Sequence, residues 1–313
     1  MSLVNRPNFL SLLILGGVVA IAGSYGLVTY TQGPEMEHFD VDPNYHFPFN
    51  FDEADEVAEL PKQLTEISGL TFWKSPNEVL CVQDEDGKLF VVNTVTGKIK
   101  ESFKFGKDRD YEGVARVGND IYVLEADGDV HHTVYQPGQE EYEATKMETA
   151  FSYRNDTEGI CYDSLTNQLL IVPKEKELTP EEEDLHHHGI YAFDRKTGTM
   201  QARPVLFIDE KTVGKAVNGR KSRYSFKPSG VAVDPITQDV FVLASVGKVL
   251  VVIGRDNKLK HVELLKEKVF RQPEGITFSP SGDLYLSSEG RGEKGIVVTF
   301  KRQGQAQIET RNE

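Results

Sequence analysis

Five copies of one short pattern, x-x-[Glu/Ser]-Gly-φ-x-φ with φ apolar, constrain this chain more than any other feature. They read EISGLTFW from Glu66, DYEGVARV from Asp110, DTEGICYD from Asp156, KPSGVAVD from Lys227 and QPEGITFS from Gln272. Their glycines stand at 69, 113, 159, 230 and 275, so the spacings are 44, 46, 71 and 45 residues. A period near 45 residues without helical patterning is the length of a four-stranded propeller blade. Such a period decides a fold more firmly than local propensity does.

The first copy shows the whole unit. GLTFW, EVLCVQ, KLFVVN and KIKESFKF are β-rich runs, parted by the turns DEDG and TVTG. The 71-residue interval holds one blade with two insertions, its strands being GICYD, QLLIVP, GIYAFD and QARPVLFI. In the first insertion, ELTPEEEDLHHHG, Thr179 is an N-cap, Pro180 takes N1 and acids fill the first turn. This predicts a short exposed helix over 180–187. The second insertion, DEKTVGKAVNGRKSRYSF, reads as a basic loop. The last blade offers three strands, and an open edge there is an aggregation liability. The segment EVAELPKQL (56–64) is expected to supply the fourth strand beside 295–301, closing the ring. The fold class is therefore all-β: a five-bladed β-propeller over residues 56–303, with a short tail over 304–313.

The N-terminus differs. After a tail of residues 1–8, Phe9 to Tyr30 runs 22 residues without a charge, long enough for a bilayer core of about 20 residues. Arg6 precedes it, and Glu35, Glu37 and Asp40 follow it, which favours an N-in, C-out signal-anchor helix. Residues 31–55, with three prolines and many acids, read as a linker. The expectation is a single-pass protein of the cell (inner) membrane with its propeller outside the cytoplasm. The alternative is cleavage near Ala22, after AIA, giving a secreted or periplasmic protein. The net charge of −14 argues against nucleic acid as a partner. The two cysteines, Cys81 and Cys161, sit in apolar runs and read as core residues.

First strands of propeller blades line the channel, so equivalent positions form a ring. The pre-glycine residues are Ser68, Glu112, Glu158, Ser229 and Glu274. Three glutamates around one axis repel unless neutralised, and a hard divalent cation with oxygen ligands is the simplest partner. Calcium is the expected cofactor, held by Glu112, Glu158 and Glu274. A second acidic set stands where the second strands end: Asp84, Glu85, Glu125, Glu175 and Glu289. Singly, such acids read as solvated turn residues. The histidines at 186–188 and 131–132 read as structural, not as a zinc site. No G-x-S-x-G elbow, P-loop or H-E-x-x-H motif occurs.

The starts carrying Glu112, Glu158 and Glu274, the run VPKEKE after the third blade's second strand, and LYLSSEG near the end resemble the SdiA-regulated (YjiK-like) family. The resemblance covers roughly residues 57–302. It implies a five-bladed, distantly NHL-like propeller with a calcium site and no established catalysis. On motif position it assigns Glu112, Glu158 and Glu274 to the metal, with Glu175 and Glu289 as strand-end acids. The leading expectation is a membrane-tethered calcium-binding module for a protein or small-molecule ligand at the channel face. The alternative is a calcium-dependent hydrolase of phytase-like or lactonase-like type, for which no general base is marked. A third class, a metal-free scaffold, requires the glutamates to be paired with Lys174 and Lys227.

Overall fold

The structure, a computed structural model, describes residues 37–219 and 222–304. The expected helix over 9–30, the first residues of the linker and most of the C-terminal tail lie outside the described residues. Among the described residues no helix is long and apolar enough to cross a membrane. Two short strands, β1 (His38–Asp40) and β2 (Glu56–Glu59), precede the first repeat.

Each repeat then forms one antiparallel sheet. Blade 1 is β3 (Ile67–Phe72), β4 (Glu78–Gln83), β5 (Lys88–Asn93) and β6 (Ile99–Lys104). Blade 2 is β7 (Tyr111–Val117), β8 (Asp120–Glu125), β9 (Val130–Val134) and β10 (Thr145–Met147). Blade 3 is β11 (Thr157–Asp163), β12 (Gln168–Pro173) and β13 (His187–Asp194), and its outer position is shared by β14 (Thr199–Met200) and β15 (Leu206–Asp209). Blade 4 is β16 (Lys227–Val233), β17 (Val240–Val246), β18 (Val249–Ile253) and β19 (Leu259–Leu264), with β1 added as a fifth, outermost strand. Blade 5 is β20 (Gln272–Phe278), β21 (Leu284–Glu289) and β22 (Ile296–Phe300). The ring closes as expected: β2 pairs antiparallel with β22, Val57 opposite Val298 and Ala58 opposite Val297. The middle strands of the blades are buried nearly throughout, because both faces pack on neighbouring blades.

Three expectations need correction. Residues 37–55 are not a free linker. Tyr45, Phe49, Phe51 and Ala54 are buried in one cluster with residues of blades 4 and 5. Phe51 stacks on Phe300 at 4.2 Å and Phe47 on His261 at 4.0 Å. The alternation Tyr45-Phe47-Phe49-Phe51 is the period-2 signal of a chain laid on an apolar surface, hidden among prolines and acids.

The first insertion forms helix α1 only over Pro180–Asp184. His186 takes a positive φ of 55°, which ends the helix, and His187 and His188 begin β13. Strand pairing with Ile208 and Asp209 outweighs a second helical turn. The second insertion is not a loop but contains α2 (Glu210–Asn218). The Asp209 side chain caps it by accepting from Lys211 N at 3.0 Å, and Gly219 ends it at φ 63°. Gly214, an apparent helix breaker, is required there, since a Cβ would stand 1.8 Å from the Ser222 carbonyl oxygen.

Candidate functional site at the acidic channel mouth

The five repeat glycines have a steric cause. All stand outside the left-handed region, so conformational freedom is not the reason. A Cβ on Gly69 would lie 2.6 Å from Gly113 Cα, one on Gly159 2.9 Å from Gly230 Cα, and one on Gly230 2.7 Å from the Glu274 carbonyl oxygen. Neighbouring inner strands touch backbone to backbone around the axis, and the channel is pinched to about 10 Å³ at this level. Only glycine fits.

The residue before each glycine sits where the ladder slips. In all five blades the pairing of first and second strands shifts register at this step, between Tyr111 and Gly113 in blade 2 and between Thr157 and Gly159 in blade 3. Such a bulge re-aims a side chain. Glu158 and Glu274 are thereby buried, each 3% exposed, while Glu112 still reaches solvent. The two serine positions of the ring serve the framework, Ser229 through its hydroxyl and Ser68 through its main-chain carbonyl. Ser229 donates to the Pro273 carbonyl at 2.7 Å, and Ser287 donates to the Ser68 carbonyl at 2.8 Å, tying adjacent blades together.

Glu112, Glu158 and Glu274 come together as the ring requires. Burial and repulsion among these glutamates raise Glu112 and Glu274 well above the ordinary carboxylate range. Burial lifts Glu158 to about 7 against the opposing pull of Lys174. The Lys174 ammonium contacts Glu158 Oε1 and lies 3.8 Å from Asp156. With Glu274 also acting on it, one ammonium faces three carboxylates. Glu274 is the extreme case, with neither Oε1 nor Oε2 in a hydrogen bond.

The strand-end acids divide. Glu175 is exposed at the rim and pairs with Lys227. Glu289 accepts from Gln272 Nε2 at 2.8 Å, and burial with repulsion from Asp84 and Glu66 lifts it to about 7. Asp84, with Oδ1 buried and unpartnered, is raised to about 6 by burial and by Glu66 and Glu85. Glu125 turns away from the channel into a closed network with Arg109 at 2.9 Å and His131 at 2.8 Å. His187 stacks on Phe207 and His188 bonds Glu210, so these histidines do not converge.

Among the described residues no group of three His, Cys, Asp or Glu side chains is arranged to hold a metal ion. The donor chemistry nevertheless fits a hard cation: oxygen atoms alone, two of them buried on Glu274 without a donor. Lys174 stands where convergence on Glu158 would otherwise occur.

The same mouth carries the opposite charge on its other side, which sequence reasoning missed. Lys248, Lys268, Arg271 and Arg291 line a cavity of about 440 Å³ together with Lys174. The signal was present in the turns after the second strands. DEDG and ADGD in blades 1 and 2 are acidic, whereas VGK and GRGEKG in blades 4 and 5 carry Lys248 and Arg291.

Comparison with solved structures finds remote likenesses. The glutaminyl cyclase of Myxococcus xanthus superposes with a TM-score of 0.53 at 11% identity, covering 80% of this chain and 96% of that one. The PQQ-bound aldose sugar dehydrogenase of Streptomyces coelicolor gives 0.47 at 10% identity, covering 86% and 99%. A nidogen/laminin complex gives 0.45 at 13%, covering 80% of each chain. At such identities the likeness is one of fold alone. A search of the curated proteins finds no match. Residues 43–291 match the family described as SdiA-regulated. With that match spanning most of a five-bladed propeller, the chain belongs to the SdiA-regulated family.

Proposed function

We propose that this propeller is an extracytoplasmic binding module, tethered by residues 9–30, that holds calcium at its acidic channel mouth. The observation that carries the reading is Glu274, a buried carboxylate with two unpartnered oxygens beside Glu158 and Glu112. Leaving such a group uncompensated costs several kcal/mol, so it takes up a proton or a cation. Glu112, Glu158 and Glu274 would hold the ion, with Lys174 leaving Glu158. Glu289 and Asp84 supply further negative potential, and Glu175 stays with Lys227. When bound, calcium offers a fixed positive charge to which an oxygen-bearing ligand can attach.

The test is elemental analysis of the purified domain, then thermal melting against calcium and EGTA. Ligand linkage gives about 2.7 kcal/mol of stabilisation at a hundredfold excess over Kd. Glu274→Gln should remove most of it while leaving the melt in EGTA cooperative. An unchanged melting temperature across millimolar calcium at pH 8 would overturn the reading in favour of a metal-free scaffold stabilised by the Glu158–Lys174 pair.

A hydrolase is the second reading, favoured by Glu289 at the same mouth, which burial lifts to about 7, the range suited to a general base. Calcium-dependent turnover of phosphate-ester or lactone substrates, lost in Glu289→Gln, would establish it. The tether is tested by fractionation. Full-length protein should stay with membranes through high-salt washing, and a soluble form beginning at Gly23 would show cleavage instead.

A further inference from the structure

The basic cavity between blades 4 and 5 is a local inversion of charge in a chain of net charge −14. Five cationic side chains line it against one carboxylate, Glu267. Two of the five are committed elsewhere, Lys174 to Glu158 and Arg271 to Glu293 at 2.8 Å. Lys248 and Arg291 meet only neutral acceptors: Lys248 Nζ donates to the Arg271 carbonyl at 2.6 Å, and Arg291 Nε donates to Gln272 Oε1. Burial lowers Lys248 from its ordinary value against the pull of Glu267, and repulsion from Arg291 lowers it further.

The backbone supports the same point. Lys248 at φ 45° and Arg291 at φ 46° both occupy the left-handed region, in turns where glycines stand beside them. Side chains rarely adopt this region, and such strain clusters at functional sites. Here it brings to one cavity two cations that make no salt bridge among the described residues.

We propose that this cavity binds a small molecule through an oxyanion group, a carboxylate or a phosphate, gripped by Lys248 and Arg291 and joined by Lys174. Arg guanidinium and Lys ammonium groups recognise such oxygens by charge-assisted hydrogen bonds. Lys174 is the shared element, lining the cavity and contacting Glu158 of the acidic cluster. An oxyanion that draws Lys174 away frees the Glu158 carboxylate, and a cation on Glu158 frees Lys174 for the oxyanion. The two ligands therefore assist each other. This coupling rests on the calcium reading, whereas the cavity itself does not.

The experiment is isothermal titration of the domain in EGTA, with succinate for the carboxylate class and inorganic sulfate for the tetrahedral class. Saturable binding of at least one, weakened tenfold or more in Lys248→Gln/Arg291→Gln with an unchanged melt, is expected. No saturable binding of either anion, or binding that survives the double variant, overturns the proposal. The arm that binds tells carboxylate ligands from phosphate-like ones. Calcium is next titrated alone, so its failure to bind counts against the calcium reading and not against the cavity. With both present, each should tighten the other by the same factor, about 5-fold or more, and Lys174→Met should bring that factor to one. A factor of one in the parent protein overturns the Lys174 coupling.

Discussion

At Glu274 two carboxylate oxygens are shut away from water without a hydrogen bond of ordinary geometry, and Gln272 and Lys174 only partly favour the charged form. The neighbours make it worse, since Glu158 and Glu289 both raise its proton affinity. Replacing the group by an apolar side chain of similar length removes the desolvation cost and gives up only the weak contacts with Gln272 and Glu158. Glu274→Met should therefore stabilise the calcium-free domain by about 1–3 kcal/mol at pH 8, read from denaturant melts in EGTA, and abolish calcium binding. A destabilised variant would mean that the carboxylate is held by contacts other than a cation. The glutamates were legible in the sequence because they recur at one register position. Their surroundings were not. Which acids are compensated depends on Lys174 and Arg109, each within its own blade, and on Lys227, which reaches from blade 4 to Glu175 of blade 3, and none of these pairings shows in the repeat spacing.

Among the elements, the N-terminal strap over residues 37–55 holds to blade 4 through a buried histidine. His261 bonds Asp40 through Nδ1 and Glu263 through Nε2, each at 2.9 Å, beneath the ring of Phe47. His38, His46 and Asp52 also face this cluster. Burial lowers the His261 pKa, but the two carboxylate bonds outweigh it and the net shift is upward. Asp40 is lowered, chiefly by its hydrogen bond to His261. Glu263 is raised, because burial outweighs the same histidine. A raised histidine contributes its stability in full below its unfolded value and loses it as pH rises through the folded value. A lowered aspartate contributes above its unfolded value and loses it as pH falls through the folded one. The raised Glu263 adds to the loss on the alkaline side. The strap should thus be tightest in mildly acidic solution and loosen as pH climbs past the raised His261 value. Hydrogen-exchange protection of the Val41 and Asp42 amides, both bonded to the Lys260 carbonyl, should fall as pH rises above about 6.5, the ordinary histidine value, after correction for intrinsic rates. His261→Gln should flatten that trend, and protection independent of pH in the parent would refute the latch.

For the molecule as a whole, closure rests on one four-residue strand. β2 covers β22, so the ring is sealed by backbone hydrogen bonds and the apolar contacts of Val57, Ala58 and Val298. A cross-link there encloses nearly the whole propeller. By loop entropy it is worth up to about 5 kcal/mol in the oxidised form, provided the paired positions accept the bond without distortion. Val57→Cys/Val298→Cys should raise the melting temperature when oxidised and return it to the parent value or slightly below when reduced. An oxidised variant no more stable than the reduced one would place the weak point of the ring elsewhere.

Much of this architecture was written along the chain. Five x-x-[Glu/Ser]-Gly starts near a 45-residue period determine five blades, since each apolar run must pair locally before it can pack. An incomplete last blade determines that an early strand closes the ring. Tertiary structure decided what depends on approach between distant segments. The glycines are required because inner strands of adjacent blades meet within van der Waals distance at Gly69, Gly113, Gly159 and Gly230, a contact that no local pattern encodes. The segment taken for a linker became a strap because blades 4 and 5 present an apolar surface for Phe47, Phe49 and Phe51. The loop that proved to be α2 depended on Gly214 seating against Ser222. The division of the mouth into an acidic and a basic half arose only when turns far apart in sequence were carried to the same end of the ring. Charge acts through space, and only the fold sets the distances over which it acts.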